Sequence, residues 1–536
     1  MTLSLELNIE TAWNTAMRAW SSPTVPYMIA TTKGDRQRLG KIGAALEQEL
    51  AFMRFPEFQI YLNLENIANT FTEDARRGLN AVTKHEMGHR YCPYDVITYL
   101  LLEHAAKKAL AGAKLPYSED AATRLILNLF TDMCINTTLV NRNDEDIPWA
   151  YKTISGQNKS RVWKVYARSM EHAWKDSLLP KETTVNQEEE TAAQQICELF
   201  KTEPFDQREW KRRIEAYAQL IAPFLENEEK DKEGSMDDLT QNIPSQLDEV
   251  TTRELAKRLA EIGSDGLPSN QEGLKEFKEI LAGRGKGDPL EASIAFYNLL
   301  ASSYDVPFAT RPLGRQRQSP LQPVQWHPSA GIDALDVEYS VACGGKLIPG
   351  ITTYAWNQRK REIHGGNEEV VPNLELLLDG SGSMPNPLET ISLPALAGFV
   401  AARKAHRKGA QIRVTTFSGE GQCHTEGWTR DLNRIFKTLV TYFNGGTVFP
   451  QEKLLGDGDP KQVLVITDAD FSNKKESADA ITALRQRHQQ NRVTIYALHP
   501  LDMADYLREA GAEVIHGTTP EIFKRTIGKA DEVYAQ

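Results

Sequence analysis

The sequence predicts a multidomain protein: a mostly helical N-terminal domain, an acidic linker and helical middle part, and a C-terminal α/β domain of the doubly wound, Rossmann-like class. Its 536 residues suit several domains at roughly 150 residues each. Helical periodicity dominates the first part of the chain, and the composition then becomes polar and acidic. After residue 371, short apolar segments alternate with helical ones, which is typical of a parallel sheet covered on both faces.

The N-terminal domain is assigned to residues 1–180. Amphipathic patterns predict helices over residues 39–52, 73–90, 96–111 and 118–139. Residues 58–64 alternate in polarity and predict the one strand of this region. We therefore expect a mainly helical domain.

The middle of the chain is predicted in two parts. Residues 181–250 are expected to form an acidic, partly flexible linker, since acidic runs occur at 186–190 and 226–238. Residues 251–370 are expected to connect this linker to the last domain through helices over 251–262 and 289–302 and a hairpin within 337–356. Asp288 is expected to cap the second helix, directly before Pro289.

The C-terminal domain is assigned to residues 371–536. It contains four apolar strand segments separated by helical stretches, at residues 374–379, 411–418, 461–468 and 492–499. In a doubly wound sheet, ligands bind beyond the carboxyl ends of such strands. Functional side chains are therefore sought where these segments end.

Composition narrows the class of protein. Hydrophobic residues make up 40% and charged residues 25% of the chain, as in soluble globular proteins. A net charge of −11 argues against a protein whose main role is to bind nucleic acid or an anionic membrane, although it leaves room for a local basic groove. Five scattered cysteines predict a reducing compartment rather than a disulfide framework. With no signal peptide and no long apolar run, a cytoplasmic location is expected.

Oxygen-bearing side chains follow the first apolar strand of the C-terminal domain. Asp379, Ser381 and Ser383 share one glycine-rich turn, and Thr447 and Asp468 stand in two later loops. Hard oxygen donors of low total charge suit Mg²⁺ or Mn²⁺, which leave a coordination position for a carboxylate from a partner. The sequence therefore predicts a divalent metal site at this edge of the sheet.

This set resembles the metal-ion-dependent adhesion site of von Willebrand factor A (VWA) domains, which is spaced DxSxS, then Thr, then Asp. The resemblance covers about residues 372–536. It implies that Asp379, Ser381, Ser383, Thr447 and Asp468 hold a Mg²⁺ or Mn²⁺ ion. It also implies that the open position of the ion binds an acidic residue of a protein partner, so the domain is expected to bind rather than to catalyse.

A second motif, HExxH, lies in the predicted helix over residues 73–90. Four residues turn a helix by about 400°, so His85 and His89 project from one face and can bind one Zn²⁺ ion. Glu86 lies about 100° further round the helix and can act as a general base rather than a ligand. The motif therefore predicts a hydrolytic zinc site.

Three residues are candidates for the third zinc ligand. Asp132 is the first choice, because it lies in a polar stripe with Asn128 and Asn136 on an otherwise apolar helix. Asp95 lies where an extended HExxHxxGxxH motif has its third ligand, although Cys92 replaces the glycine. His104 is the third candidate.

The two motifs together resemble bacterial and archaeal proteins in which an HExxH metallopeptidase domain, with a downstream NxxxDxxxN helix, is joined to a C-terminal VWA-like domain. The resemblance spans about residues 58–140 and 326–536. It implies a zincin-like N-terminal domain with His85, His89 and Asp132 as Zn²⁺ ligands and Glu86 as the general base. Proteins of this group are often linked to MoxR-type AAA+ ATPases, which implies such an ATPase as a partner.

Two functional hypotheses follow from these residues. The first is a zinc-dependent metallopeptidase whose VWA-like domain grips an acidic residue of a partner through Mg²⁺. The second is a non-enzymatic adaptor, in which the HExxH helix holds a structural zinc ion or none. Three protein ligands favour the enzyme, whereas a closed site with four favours the adaptor.

Overall fold

The computed structural model describes residues 2–21, 26–47, 49–54, 58–93, 95–155, 160–227, 247–262, 267–285, 287–304, 323–326, 335, 337, 340, 353–356, 372–454, 461–468 and 471–534. The chain divides into two compact units, Met1–Ala292 and Ser293–Gln536.

The first unit is mainly helical, as the sequence predicts. Its helices are α1 (Thr2–Trp20), α2 (Lys33–Arg38), α3 (Lys41–Ala45), α4 (Leu64–Thr70), α5 (Ala75–Gly88), α6 (Val96–Leu110), α7 (Glu119–Asn141), α8 (Asp146–Ser155), α9 (Arg161–Trp174), α10 (Gln187–Phe200), α11 (Gln207–Ile221), α12 (Glu249–Ala260) and α13 (Gly273–Ala282). Helix α14 (Pro289–Ser303) spans the division between the units.

A three-stranded sheet accompanies these helices. Strands β1 (Tyr27–Ala30), β2 (Ala51–Arg54) and β3 (Gln59–Asn63) lie in the order β1-β3-β2, with β2 antiparallel to β3. The prediction of one helix over residues 39–52 is therefore wrong, because α3 ends at Ala45 and β2 begins at Ala51. Cross-strand packing explains the difference, since Phe52 lies opposite Tyr61 and their rings stack with centroids 5.2 Å apart.

The prediction of a linker over residues 181–250 fails for α10 and α11. Both helices pack into the core of the first unit, with Phe200, Trp210 and Tyr217 buried. The acidic run at 186–190 begins α10 rather than a linker: Asn186 and Glu189 form a capping box, and Glu189 is buried while Glu188 stays exposed. Residues 228–246, which include most of the second acidic run, lie outside the described residues.

Helices α5 and α7 form the interior of the first unit. Buried residues occupy successive positions of α5 from Ala81 to Gly88 and of α7 from Leu125 to Leu139. A helix buried on all sides has no solvent-facing stripe to receive polar side chains. The polar residues of α7 that the sequence analysis singled out therefore lie inside the core.

The second unit is built on a six-stranded sheet with the order β11-β10-β9-β6-β7-β8. Its strands are β6 (Asn373–Asp379), β7 (Ile412–Phe417), β8 (Cys423–Thr429), β9 (Lys461–Thr467), β10 (Arg492–Ala497) and β11 (Glu513–His516), and a short pair is formed by β4 (Pro323–Gln325) and β5 (Tyr354–Trp356). Its further helices are α15 (Leu393–Arg407), α16 (Leu432–Leu439), α17 (Gln451–Leu454), α18 (Lys474–Arg487), α19 (Ala504–Glu509) and α20 (Thr519–Tyr534).

All pairs in this sheet are parallel except the pair of β7 and β8. The sheet is therefore mixed, and the expectation of a wholly parallel sheet is wrong at the β8 edge. The sequence analysis missed β8 because Cys423–Thr429 is partly exposed and lacks an apolar run. It also missed the four-residue strand β11. Most of the predicted hairpin over residues 337–356 lies outside the described residues, and its last three residues form β5, which pairs with β4 rather than with a strand inside that range.

Numbered from β6 along the chain, the sheet has the order 3-2-1-4-5-6, which is that of a doubly wound fold. The order reverses between β6 and β9, so the crevice between their carboxyl ends is where such folds bind ligands. Within the described parts of the chain, we find no helix with both the length and the apolar character needed to cross a membrane.

Candidate metal centres

Three side chains of the first unit converge in its core. The His85 and His89 Nε2 atoms lie 3.3 Å apart, and Asp132 Oδ1 lies 3.5 Å from the first and 3.6 Å from the second. The ligand atoms of these residues are the one group of His, Cys, Asp and Glu with metal-binding spacing among the described residues. We call His85, His89 and Asp132 the imidazole cluster.

Close contact between α5 and α7 brings the imidazole cluster together. Gly88 faces Ile135, and a Cβ atom on Gly88 would lie 2.4 Å from Ile135 Cγ2 and 2.9 Å from Trp20 Cζ2. The Trp20 indole in turn donates a 2.7 Å hydrogen bond to the Lys84 carbonyl oxygen. The glycine inside the HExxH motif is therefore required for the helices to approach.

Buried ion pairs fix the same turn of α5. Lys84, next to His85, places its ammonium 2.5 Å from the Asp144 carboxylate and 2.8 Å from that of Asp146. Asp144 also accepts hydrogen bonds from the backbone of residues 146 and 147, at the start of α8. These contacts hold α5 against the turn between α7 and α8.

Hydrogen bonds set the tautomer of both histidines. His85 Nδ1 donates to Asn136 Oδ1 at 2.9 Å, and His89 Nδ1 donates to the Cys92 carbonyl oxygen at 3.2 Å. Because each proton then lies on Nδ1, each Nε2 atom presents a lone pair. Both lone pairs face Asp132 Oδ1, so three electron donors meet with no hydrogen-bond donor between them.

The imidazole cluster fits a zinc ion. A tetrahedral site with bonds of about 2.0–2.1 Å separates its ligand atoms by about 3.3–3.4 Å, close to the three distances measured here. Asp132 Oδ1 is buried without a hydrogen-bond partner among the described residues. A buried carboxylate oxygen with no donor is costly unless a cation meets it.

Burial governs the protonation of these groups. It lowers the pKa of His85 to about 4, and the pKa of His89 falls well below its usual range. The pKa of Asp132 is raised well above its usual range, also by burial. Both imidazoles are therefore neutral and able to bind a metal, and a bound cation would favour the ionised form of Asp132.

Glu86 lies in the same interior. Both of its carboxylate oxygens are buried without hydrogen-bond partners among the described residues. Its pKa is raised well above the usual range, first by burial and then by the nearby carboxylates of Asp132 and Glu49. Burial and the neighbouring carboxylates thus favour the protonated form of Glu86 over the ionised one.

The two alternative ligands lie elsewhere. Asp95 caps α6 through a 2.7 Å bond from the Thr98 amide, and its other oxygen lies 2.6 Å from the Arg258 guanidinium. His104 Nε2 lies 3.2 Å from the Glu279 carboxylate. Neither side chain joins the imidazole cluster.

The oxygen-bearing residues of the second unit lie at the reversal point of the sheet. Asp379 ends β6, and Asp468 directly follows β9. The Ser383 hydroxyl donates to Asp468 Oδ1 at 2.9 Å and lies 3.2 Å from the Ser381 hydroxyl. Asp379, Ser381 and Asp468 are buried, whereas Ser383 is exposed, so this cluster opens to solvent.

Both oxygens of the Asp379 carboxylate are held by the protein. Oδ1 accepts from the Ser381 amide at 2.9 Å, and Oδ2 accepts from the Thr467 hydroxyl at 2.6 Å. Burial nevertheless raises the pKa of Asp379. The sequence analysis missed Thr467, although it directly precedes Asp468.

Thr447 lies in the loop between α16 and α17, and this loop is fastened to the turn that carries Asp379. The Gly382 amide donates to the Gly445 carbonyl oxygen at 3.0 Å. The Ser418 hydroxyl, at the end of β7, donates to the Gly446 carbonyl oxygen at 3.0 Å and accepts from the Gly445 amide at 3.1 Å. We call the four residues Asp379, Ser381, Ser383 and Asp468, together with Thr447 of this adjoining loop, the oxygen cluster.

The oxygen cluster offers carboxylate and hydroxyl oxygens with no nitrogen or sulfur ligand. Such a donor set suits Mg²⁺ or Mn²⁺ better than zinc. The two candidate metal centres therefore differ in the chemistry of their ligands as well as in their exposure to solvent.

Comparisons with known proteins give few matches. No family model matches the chain, and no curated protein is similar to it. A solved structure that matches part of the chain is the manganese-loaded TRAP protein of Plasmodium vivax, at 17% sequence identity and a TM-score of 0.23. That match covers 29% of this chain and 73% of the TRAP chain.

Proposed function

We propose that the first unit is a zinc-dependent metallopeptidase and that the second unit is a VWA-like domain that binds an acidic residue of a partner through Mg²⁺ or Mn²⁺. The observation that carries the first part is the convergence of His85 Nε2, His89 Nε2 and Asp132 Oδ1 within 3.3–3.6 Å inside the core. Three protein ligands are typical of catalytic zinc sites, whereas structural sites have four.

Each residue of the first site has a role in this proposal. His85, His89 and Asp132 would hold the ion. Zinc, when bound, supplies the Lewis acidity that activates water for attack on an amide carbonyl. Glu86, whose carboxylate oxygens have no hydrogen-bond partner among the described residues, would take the proton of the attacking water and pass it to the leaving amine.

The second part of the proposal rests on the oxygen cluster. Its exposed Ser383 and its position at the reversal point of the sheet leave one side accessible to a carboxylate from another protein. We propose a MoxR-type AAA+ ATPase as the partner, on the resemblance of the two motifs. Binding to that ATPase would then require the divalent ion.

A second candidate function is a metal-dependent adaptor with a structural zinc ion. Burial favours this alternative, because His85, Glu86 and His89 are each 0% exposed and a peptide must reach a catalytic ion. The two candidates differ in hydrolysis but share the zinc site. They also share the docking role of the second unit.

Metal analysis of the purified full chain tests the zinc site. We expect about one zinc ion per wild-type chain, and none in His85→Ala or Asp132→Ala. His104→Ala is the matched control, because it removes an imidazole of the same unit that lies outside the imidazole cluster. Zinc that persists in both cluster variants would refute the proposed site.

Glu86→Gln separates the enzyme from the adaptor. The variant should keep its zinc ion and lose hydrolysis of an unfolded protein such as reduced casein, because the amide cannot accept the proton. Hydrolysis by wild type but not by Glu86→Gln supports the metallopeptidase. Zinc binding by both proteins with hydrolysis by neither supports the adaptor.

A further inference from the structure

The strongest remaining feature of the core is a chain of hydrogen bonds that leads away from the imidazole cluster. Asn136 accepts from His85 Nδ1 at 2.9 Å and donates through Nδ2 to the Tyr151 hydroxyl at 2.7 Å. The Tyr151 hydroxyl lies 3.4 Å from that of Tyr166. The chain thus joins α5, α7, α8 and α9.

The structure places the amide nitrogen of Asn136 toward Tyr151 and its amide oxygen toward His85. The amide nitrogen of Asn136 donates and its amide oxygen accepts. Because Tyr151 takes the nitrogen, the oxygen must face His85. Because that oxygen accepts and cannot donate, the proton of neutral His85 must lie on Nδ1.

We propose that Asn136 is the positioning residue of the zinc site, that it sets the His85 tautomer, and that Tyr151 fixes the direction of the Asn136 amide. This inference rests on the proposed zinc site and adds two residues to it. Asn136 and Tyr151 do not contact the ion. They act through His85 by keeping the Nε2 lone pair directed at Asp132.

Burial makes this control effective. Asn136 is 0% exposed and Tyr151 is 1% exposed, so water does not replace either partner when one is removed. Without a fixed acceptor at Nδ1, His85 is free to place its proton on Nε2, where it would block the metal. Loss of a residue that hydrogen-bonds to a metal-binding histidine typically lowers metal affinity by about 10–100-fold.

Zinc affinity of the full-length protein, measured by competition with a chelator, tests the proposal. Asn136→Leu removes the acceptor at similar volume, and we expect its zinc dissociation constant to rise about 10–100-fold. Asn136→Asp keeps an oxygen at the same place and should bind zinc almost as wild type does. Ser169→Ala is the matched control, because it removes a buried hydroxyl of α9 that donates to the Val165 carbonyl oxygen at 2.7 Å.

A second measurement separates positioning from simple stabilisation. We expect zinc-free Asn136→Leu to unfold at a lower temperature than zinc-free wild type, because two buried groups lose their hydrogen-bond partner. The positioning role is read instead from the absorption spectrum of the Co²⁺-loaded form, which should differ from wild type in Asn136→Leu and match it in Asn136→Asp. If both Asn136 variants lose zinc equally, or if the Co²⁺ spectrum of Asn136→Leu matches wild type, the tautomer role is refuted.

Tyr151→Phe provides a second test of the proposal if Asn136→Leu does not fold. The variant keeps the aromatic ring but removes the hydroxyl that accepts from the Asn136 amide nitrogen. We therefore expect a loss of zinc affinity that is smaller than in Asn136→Leu but measurable. Wild-type affinity in Tyr151→Phe would refute the proposed role of Tyr151.

Failure of the proposed function gives a different result. A wild-type chain that binds no zinc refutes the zinc site and this inference together. A wild-type chain that binds zinc but hydrolyses nothing refutes the peptidase alone, because every readout here is metal binding.

Discussion

Gly88 of α5 lies directly against Ile135 of α7, in a position where a Cβ atom would be 2.4 Å from Ile135 Cγ2. This contact sets the distance between the helix that carries both histidines and the helix that carries Asp132. The spacing of the imidazole cluster therefore depends on Gly88, which is not itself one of the candidate metal ligands.

Gly88→Ala should separate the two helices and abolish zinc binding. Overpacking of a core costs about 1–3 kcal/mol, and the strain here falls at the metal ligands. Gly78→Ala is the matched control. Gly78 lies in the same helix α5 but away from the imidazole cluster, and its Cβ atom would lie 2.3 Å from Phe71 Cδ2. We expect thermal denaturation to show both variants destabilised and metal analysis to show zinc only in Gly78→Ala. Zinc retained in Gly88→Ala would contradict this.

Thr467→Val should weaken Mn²⁺ binding to the second unit. The hydroxyl of Thr467 donates to Asp379 Oδ2 at 2.6 Å, and valine has the same shape without that donor. Loss of such a support typically costs about 10-fold or more in metal affinity. Calorimetric titration of the zinc-loaded full chain with Mn²⁺ measures the change. Thr415→Val, which removes a buried hydroxyl bonded to Thr425 on the neighbouring strand, should leave Mn²⁺ affinity unchanged.

Glu375→Gln should destabilise the second unit without altering its metal site. The Glu375 carboxylate is buried between Arg413 at 2.9 Å and Lys461 at 2.6 Å, and both cations are also buried. Removing its charge leaves two buried cations uncompensated, which costs about 3–5 kcal/mol. Chemical denaturation measures the loss.

The control for Glu375→Gln is Glu426→Gln in the same sheet. Glu426, whose side chain is 16% exposed, pairs with Arg434, whose side chain is 62% exposed. An ion pair that solvent reaches contributes at most about 1 kcal/mol. Equal destabilisation by the two substitutions would show that burial of the Glu375 charge is not what matters.

Glu190 should contribute to stability in a pH-dependent way. The Arg168 guanidinium, 2.8 Å away, lowers the pKa of Glu190 below its ordinary value of 4.5. Because the folded state then binds this proton less readily than the unfolded state, the stabilisation is fully present above pH 4.5 and is lost as pH falls through the folded pKa.

Glu190→Gln measures that contribution. We expect the variant to unfold at lower urea concentration than wild type at pH 7, and the difference between them to shrink steadily as pH falls below 4.5. The same difference at pH 7 and at low pH would contradict an ionic contribution.

Local sequence patterns were enough to place the helices and strands that carry both sites. Helix α5 was predicted over residues 73–90 and extends from Ala75 to Gly88, and α7 was predicted over 118–139 and extends from Glu119 to Asn141. Strand β6 likewise agrees with its prediction. Long amphipathic or apolar segments encode their own conformation, because burial of one face requires a fixed period.

Segments whose conformation depends on distant partners were predicted less well. The sequence of β2 has the pattern of a helix end, and its strand conformation depends on pairing with β3. The sequence of β8 has too few apolar residues to distinguish it from a loop. The acidic start of α10 resembles a linker in sequence. In the structure Arg161 and Lys164 of α9 pair with Glu189, so its charge is neutralised within the fold.

The sequence by itself determined the residue types of both candidate sites and the elements that carry them. Only the tertiary structure decided which of Asp132, Asp95 and His104 joins the histidine pair, because residues 132 and 85 meet through the packing of α7 on α5. It also placed the Asn136 amide oxygen 2.9 Å from His85 Nδ1 and the Asn136 amide nitrogen 2.7 Å from the Tyr151 hydroxyl. Spacing along one helix is fixed by local geometry, whereas contacts between helices depend on how side chains such as Ile135 pack against Gly88.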